Sequence, residues 1–373
     1  MLSSGSHLMG HNYIDDAIAK GAIAVVVSKP VELSGGVTKV ITADSRLALA
    51  VAAKNFYHDP ADKMNLIAIT GTNGKTTVSW LLRSILQNGV QTNCGVIGTL
   101  GVRYRDINYQ TGMTTPDVVT FYSQMSDMKS ADIDSVVMEV SSHALEQHRV
   151  FGVKFDVALF TNFSQDHLDY HSSMKQYFSA KSKLFYKYIK PNGKKVLNFD
   201  DSRVVALRDS RTIGFSVKGH EDATVKLLSY KMRAHSTDLK LSIDGSEVEL
   251  SSPLIGFFNI ENVIAAVSVA YALDIDMAAI ARGLNHECVV PGRLEKVNRE
   301  GEPLVVVDYA HTPDGLEKVL TTVREITCGK LYCLFGCGGD RDRQKRYYMG
   351  KTVAKFADSA VITNDNPRSE DPQ

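Results

Sequence analysis

No charge sign is in excess in this chain: Lys+Arg and Asp+Glu number 42 each. A zero formal charge gives no support to nucleic-acid binding or to a membrane surface. Long apolar runs are missing too. A stretch such as Ala22–Val27 is far too short to cross a bilayer. The first residues carry no charged region followed by an apolar core, so no secretory signal is visible. The five cysteines, at 94, 288, 328, 333 and 337, form no Cys-x-x-Cys pair, which fits reduced thiols in a cytoplasmic protein. Internal repeats and low-complexity segments are also missing. What is present is ordinary for a globular chain: 373 residues, 44% apolar and 23% charged, enough for two or three domains with their own cores.

The most informative stretch is Asn65–Thr77. Leu66, Ile67, Ala68 and Ile69 read as a buried parallel strand. The strand runs into Gly71-Thr72-Asn73-Gly74-Lys75-Thr76-Thr77. Val78, Leu81, Leu82, Ile85 and Leu86 then fall on one helical face, which Gly89 stops. Strand, glycine turn, lysine, hydroxyl and helix together cradle a nucleotide triphosphate. Backbone N–H groups and the helix N-terminus face phosphate, Lys75 neutralises the outer phosphates, and Thr76 offers a hydroxyl to magnesium. The spacing is shorter than the common P-loop, with Thr72 and Asn73 alone between Gly71 and Gly74-Lys75.

Around this centre the pattern predicts a short helix over 13–21, the strand Ala22–Val27, and a helix started by Asp44-Ser45-Arg46 and closed by His58-Asp59-Pro60. Strands are predicted at Leu66–Thr70, Ser135–Glu139, Val157–Phe160 and Lys195–Asn198, with helices between, which is α/β order. Alternation over 222–256 predicts antiparallel strands at the sheet edge. The helix Asn259–Leu273 follows, with Asn259 a possible N-cap, and then a shorter helix ends near Gly283. Pro291-Gly292-Arg293 reads as a hinge. Beyond it come the strand Leu304–Asp308, a helix after Pro313, the strand Leu331–Phe335, a helix after Gln344 and the strand Ala360–Thr363.

Two further clusters carry chemistry. Glu139 ends its strand near the P-loop, where a magnesium ligand sits. Asp166-His167-Leu168-Asp169-Tyr170-His171 is rich in metal-binding residue types, but its spacing fits no common zinc pattern.

Gly71–Thr77, Met138–His143, Asp166–His171, Asp308-Tyr309-Ala310-His311-Thr312-Pro313 and Asp365-Asn366-Pro367-Arg368 occur in one order. With these motifs the chain resembles the Mur ligases of peptidoglycan synthesis over nearly its whole length. The resemblance implies a three-domain α/β architecture: a partial N-terminal UDP-sugar-binding domain (1–62), a central P-loop ATPase domain (63–290) and an incomplete Rossmann-like C-terminal domain (291–373). It implies an ATP- and Mg2+-dependent amide ligase that works through an acyl phosphate, is cytoplasmic and is a monomer. The implied substrates are a UDP-N-acetylmuramoyl dipeptide and meso-diaminopimelate, with no nucleic-acid or membrane partner.

By the same resemblance, Thr76 and Glu139 hold one magnesium ion, and His167 and a carbamylated lysine hold a second. The family places that lysine at Lys181, although spacing alone leaves Lys183 and Lys187 open. Carbamylation would turn an ammonium into an anionic oxygen ligand, which a hard cation prefers. Asn259 and Asn262 match positions that touch adenine. Arg293, Asp308 and His311 match positions that close over ATP. Thr114, Thr115, Ser141, Gln147 and Arg149 match the muramyl-dipeptide site. Asp365, Asn366, Pro367 and Arg368, helped by Arg341, match the amino-acid selector, where a guanidinium suits a distal carboxylate better than the ammonium of lysine.

Against the family pattern, the uridine-binding segment is expected upstream of Gly10-His11, Met9 stands where aspartate is usual, and a Gly-Lys-Gly-His-Glu segment is missing after Arg368. The chain therefore reads as truncated at both ends. Rival readings are an inactive nucleotide-binding fragment, a lysine-adding ligase and a folylpolyglutamate synthetase. A nucleic-acid-stimulated ATPase is the most distant.

Overall fold

The computed structural model describes residues 10–33, 36–168, 170–233, 236–286, 290–297, 301–340 and 343–371. Met9, Asp169, Cys288 and Arg341 lie outside the described residues. The first unit holds α1 (Ile14–Ala19), the parallel pair β1 (Ala24–Val27) and β2 (Thr38–Ile41), and α2 (Ser45–Phe56). The Asp44 carboxylate caps α2 by accepting from the N–H groups of Arg46 and Leu47.

The central unit is one twisted layer with helices on both faces. Its strands are β3 (Asn65–Thr70), β4 (Cys94–Gly98), β5 (Gly101–Tyr104), β6 (Ile107–Tyr109), β7 (Ser135–Glu139), β8 (Phe155–Phe160), β9 (Ile189–Asn198), β10 (Thr212–Ser216), β11 (Val225–Met232), β12 (Thr237–Ile243) and β13 (Ser246–Ser252). They form an eleven-stranded sheet in the order β13-β12-β11-β10-β9-β8-β3-β7-β4-β5-β6. Pairings from β11 across to β4 are parallel, and both edges are antiparallel. The 222–256 region is the edge that alternation predicts. The β4–β6 edge and β2 are not foreseen from pattern, because these strands are short.

β3 is central, and both its faces are covered. Leu66 and Ala68 face a core with α2, α4 (Val118–Ser130) and α6 (Met174–Lys187). Ile67 and Ile69 face a second core with α3 (Lys75–Ser84), α8 (Phe257–Ala272) and α9 (Met277–Asn285). Burial on two sides is why β3 reads as a continuous apolar run. Between β7 and β8 the chain forms α5 (Ser142–Glu146), and after β9 it forms α7 (Ser202–Val205).

Three expectations need correction. β9 starts at Ile189, before the expected Lys195. Its early part holds Pro191 and Gly193, and the register jumps between Phe155–Ile189 and Val157–Lys194. Asn259 is not an N-cap: α8 begins at Phe257 behind Gly256, and the Asn259 amide donates to the Ile255 carbonyl at 2.8 Å. The expected strand Leu304–Asp308 shrinks to β15 (Val306–Val307), antiparallel to β14 (Glu295–Lys296). The Asp308 carboxylate accepts from the N–H groups of Leu294 and Ala310 at 2.8 Å each, which turns the chain there.

The third unit continues with α10 (Pro313–Ile326), β16 (Tyr332–Phe335), α11 (Gln344–Phe356) and β17 (Ser359–Ile362), with β16 and β17 parallel. Its core includes Leu316, Leu320, Val323 and Val353, and it takes in Ile255 from just before α8. That apolar seam ties the third unit to the α8 side of the central unit.

Candidate active site

The phosphate loop leaves the carboxyl end of β3, which lies between β7 and β8, so the chain crosses from one side of β3 to the other in passing from β7 to β8. Open α/β sheets bind ligands at such a switch point. Gly71 has φ +145 and Gly74 φ +84, and a Cβ on either would overlap Thr161 Oγ1 or Asn262 Oδ1 respectively. Those two glycines therefore serve close packing as well as turn geometry. The loop is braced from outside. Thr72 N–H donates to the Asn162 carbonyl at 2.9 Å, Asn73 N–H to Asn162 Oδ1 at 2.9 Å, and the Thr161 hydroxyl to the Asn73 carbonyl at 2.6 Å.

Lys75 Nζ donates to the carbonyls of Gly71 and Thr72 at 3.0 and 2.9 Å. Burial pulls its pKa below the ordinary lysine value. Glu139 and Asp166 oppose that shift, and Arg293 adds to it. Lys181 is 1% exposed, and its ammonium donates to the same Gly71 carbonyl at 2.8 Å, over the Tyr177 ring at 4.7 Å. Burial, and next the field of Lys75, hold Lys181 well below 10.5, against Asp166. A neutral amine is the form that takes up carbon dioxide, so this environment suits carbamylation.

Glu139 ends β7 fully buried. Its carboxylate accepts from the Thr76 hydroxyl at 3.1 Å and from Thr99, by N–H at 2.9 Å and hydroxyl at 3.1 Å. Carboxylate and hydroxyl oxygens beside a phosphate loop are the hard donors that suit magnesium. His167 sits at φ +53, with Nε2 3.5 Å from Asp166 and its ring edge-on to His143 and Tyr177.

On the other side of Glu139, the Thr115 hydroxyl donates to the Glu139 carbonyl at 2.9 Å, accepts from the Ser141 N–H at 3.0 Å and lies 3.3 Å from the Ser141 hydroxyl. Ser141 caps α5. Arg149 donates to the Thr115 carbonyl at 2.8 Å and grips Gln147 Oε1 through Nε and Nη2 at 3.1 and 2.7 Å. Thr114 stands 3.0 Å from the Thr99 hydroxyl. These residues thus form one wall, continuous with the phosphate loop.

Asn262 donates to Asn259 at 3.1 Å under Gly74. From the third unit, Arg293 lies over the Tyr309 ring at 5.2 Å, and His311 Nδ1 is 3.0 Å from the Tyr309 carbonyl. Burial raises the Asp308 pKa, against the two N–H bonds described above. Asp365–Arg368 is an exposed turn after β17. Asp365 bridges Gly338, Asn366 accepts from Gly339 N–H at 3.1 Å, and the Arg368 guanidinium donates to the Gly339 carbonyl.

Thr99, Thr161, Asn162 and Tyr177 were not picked out from the sequence. The available signal is positional: Thr99 directly follows β4, and Thr161-Asn162 directly follow β8, at the same sheet edge as the phosphate loop.

Residues 69–270 match the Mur ligase middle domain, and residues 292–373 match the glutamate ligase domain of Mur ligases. The chain is 41% identical over 374 residues to the UDP-N-acetylmuramoyl-L-alanyl-D-glutamate–2,6-diaminopimelate ligase of Aquifex aeolicus, covering 99% of this chain and 75% of that protein. A solved structure of a UDP-N-acetylmuramoyl-L-alanyl-D-glutamate–2,6-diaminopimelate ligase superposes with TM-score 0.76 at 32% identity, covering 97% of this chain and 74% of that one. Folylpolyglutamate synthase of Mycobacterium tuberculosis, complexed with ADP, shares the fold alone, at TM-score 0.71 and 18% identity over 86% of this chain and 78% of that one.

Proposed function

The chain belongs to the Mur ligase family, and from that premise we propose that it joins 2,6-diaminopimelate to UDP-N-acetylmuramoyl-L-alanyl-D-glutamate, using ATP, in peptidoglycan precursor synthesis. The observation that carries the reading is the convergence of Lys75 and Lys181 on the Gly71 carbonyl, beside the Thr76–Glu139 pair. It supports a reading in which Lys75 neutralises phosphate and Lys181 is carbamylated beside it.

The substrate carboxylate attacks the terminal phosphorus of ATP, the bond from that phosphorus to the bridging oxygen breaks, and ADP leaves as the acyl phosphate forms. The amine then displaces phosphate through a tetrahedral intermediate. In such a transfer the protein supplies position and charge. Lys75 and the backbone of Gly71–Thr77 hold the outer phosphates. Thr76 and Glu139 would hold one magnesium ion, and His167 and carbamylated Lys181 another; bound there, the ions neutralise charge on the transferring phosphoryl group. Thr114, Thr115, Ser141, Gln147 and Arg149 hold the dipeptide, with Arg149 suited to paired bonds with carboxylate. Asn259 and Asn262 face adenine, while Arg293, Asp308 and His311 close over the nucleotide. Arg368, with Asp365, Asn366, Pro367 and Arg341, selects the distal carboxylate of the meso isomer. The working division is 1–62, 63–290 and 291–373, in a cytoplasmic monomer. Among the described residues no helix is long and apolar enough to cross a membrane.

Phosphate release from ATP tests the reading. It is expected with UDP-muramyl dipeptide plus diaminopimelate, and not with folate plus glutamate. Equal release with lysine in place of diaminopimelate would make the chain a lysine-adding ligase. ATP binding without any release would make it a nucleotide-binding protein alone.

A further inference from the structure

One residue directly after β4 grips both oxygens of Glu139. The Thr99 N–H donates to Oε1 at 2.9 Å and its hydroxyl to Oε2 at 3.1 Å. Glu139 Oε2 also receives the Thr76 hydroxyl of the phosphate loop at 3.1 Å. The approach is close: a Cβ on the preceding residue, Gly98, would overlap Glu139 Oε1. On its outer side Thr99 Oγ1 lies 3.0 Å from Thr114 Oγ1. Four side chains from four separate segments are thus strung together as Thr114, Thr99, Glu139 and Thr76.

The proton inventory gives this string a direction. A carboxylate accepts and cannot donate, while a threonine hydroxyl has one proton and two lone pairs. Thr76 and Thr99 both aim their protons at Glu139. Thr99 then has no proton left for Thr114, so Thr114 must donate inward to Thr99. An anionic group arriving at Thr114 competes for that one proton. Once Thr114 turns outward, Thr99 loses its donor, and its own bond to Glu139 weakens, because chained hydrogen bonds reinforce one another. Glu139 is then less quenched and holds a cation at the phosphate loop more strongly.

We infer that Thr99 is a positioning residue that couples occupancy of the dipeptide site to nucleotide–cation binding through Thr114, Thr99 and Glu139. The inference rests on the functional reading above. It requires that each ligand alter the affinity of the other by the same factor, since such coupling is reciprocal.

Calorimetry on the full chain tests it. The magnesium complex of a non-hydrolysable ATP analogue is titrated with and without saturating UDP-muramyl dipeptide, and the reverse titration is run as well. In the wild type each ligand should tighten the other roughly fivefold or more. Thr99→Val keeps the backbone N–H and the side-chain shape but removes the hydroxyl. It should still bind the analogue alone, and the mutual tightening should vanish. Thr99→Ala is a second removal with the same expectation, and Thr99→Ser should restore the tightening. Equal tightening in wild type and Thr99→Val overturns the inference, as does a wild type that binds both ligands independently. A wild type that binds the analogue but no dipeptide overturns the functional reading, and this inference with it.

Discussion

The phosphate loop and the Asp365–Arg368 turn both leave a parallel strand, yet they are held in different ways. The first follows a strand flanked on both sides in an eleven-stranded sheet, and it is clasped by Asn162, Thr161, Asn262 and Lys181 from three other segments. The second follows a strand of a two-stranded sheet and is tied mainly to its neighbouring loop at Gly338–Asp340. In the function proposed above, phosphoryl transfer depends on charge held in fixed positions, which an over-determined loop would supply. Selection of an amino acid would need a surface that can change without disturbing the sheet, as an exposed turn can.

The hardest blow to this contrast is Lys75→Ala. Loss of one electrostatic donor at a reacting phosphate should cut ATP turnover by about 10²–10³-fold. The fold should persist, because the loop keeps its close packing on Thr161 and Asn262 and its backbone bonds to Asn162 when the ammonium is gone. Steady-state phosphate release, with circular dichroism alongside, measures both. Turnover near wild type would remove the phosphate loop from the mechanism.

Lys181→Ala should cost about two orders of magnitude in rate, the size of effect seen when a reacting group is misplaced. Millimolar short carboxylic acids should recover part of it by standing in for the carbamate oxygen. Full activity in bicarbonate-free buffer, with an unmodified lysine by mass spectrometry, would end the carbamate assignment.

At the exposed turn the expected effect is smaller and confined to one substrate. Arg368→Ala should lower kcat/KM for diaminopimelate by roughly 30-fold, which corresponds to the lower end of the cost of unpairing a charged partner. ATP affinity and thermal midpoint should stay unchanged. A competition assay with lysine and diaminopimelate reads this out. A parallel loss of ATP binding would erase the distinction between the two loops.

Two subtler tests bear on burial. Lys181 binds its proton less tightly when folded than when unfolded. Wild-type stability should therefore rise with pH between its lowered folded pKa and 10.5. Lys181→Met removes this slope, so in carbon-dioxide-free buffer its advantage in thermal midpoint should be widest at the acid end and close towards pH 10.5. Thiol labelling gives the smallest signal. Cys94 is buried in β4 with its thiol pushed up to about 12, chiefly by burial, whereas Cys328 is exposed. At mildly alkaline pH Cys328 should label at once and Cys94 on unfolding alone. Rapid labelling of Cys94 in the folded protein would mean that the central sheet opens.

The buried parts of the site were the easier ones to read. Leu66–Ile69 form one continuous apolar run, Val78, Leu81, Leu82, Ile85 and Leu86 fall at helical spacing, and all of them are buried. Glu139 was legible because it ends an apolar strand. Thr99 and Asn162 carry no such pattern. A threonine after a strand looks like any turn residue until the partner strand brings a carboxylate to it. Asn259 misled for a related reason, since its amide bonds backwards to Ile255 from inside the helix.

Local order and periodicity determined that a parallel strand would meet a glycine turn, a lysine and an amphipathic helix. The order of the motifs along the chain pointed to the family. The tertiary structure alone decided that Lys75 and Lys181, 106 positions apart by their numbering, would share one carbonyl oxygen, and that Thr114, Thr99 and Thr76 would line up on Glu139. Hydrophobic periodicity specifies which face of an element is covered. Which side chains meet at the strand ends depends on the lateral order of the strands, and that order is set by the packing of the whole sheet.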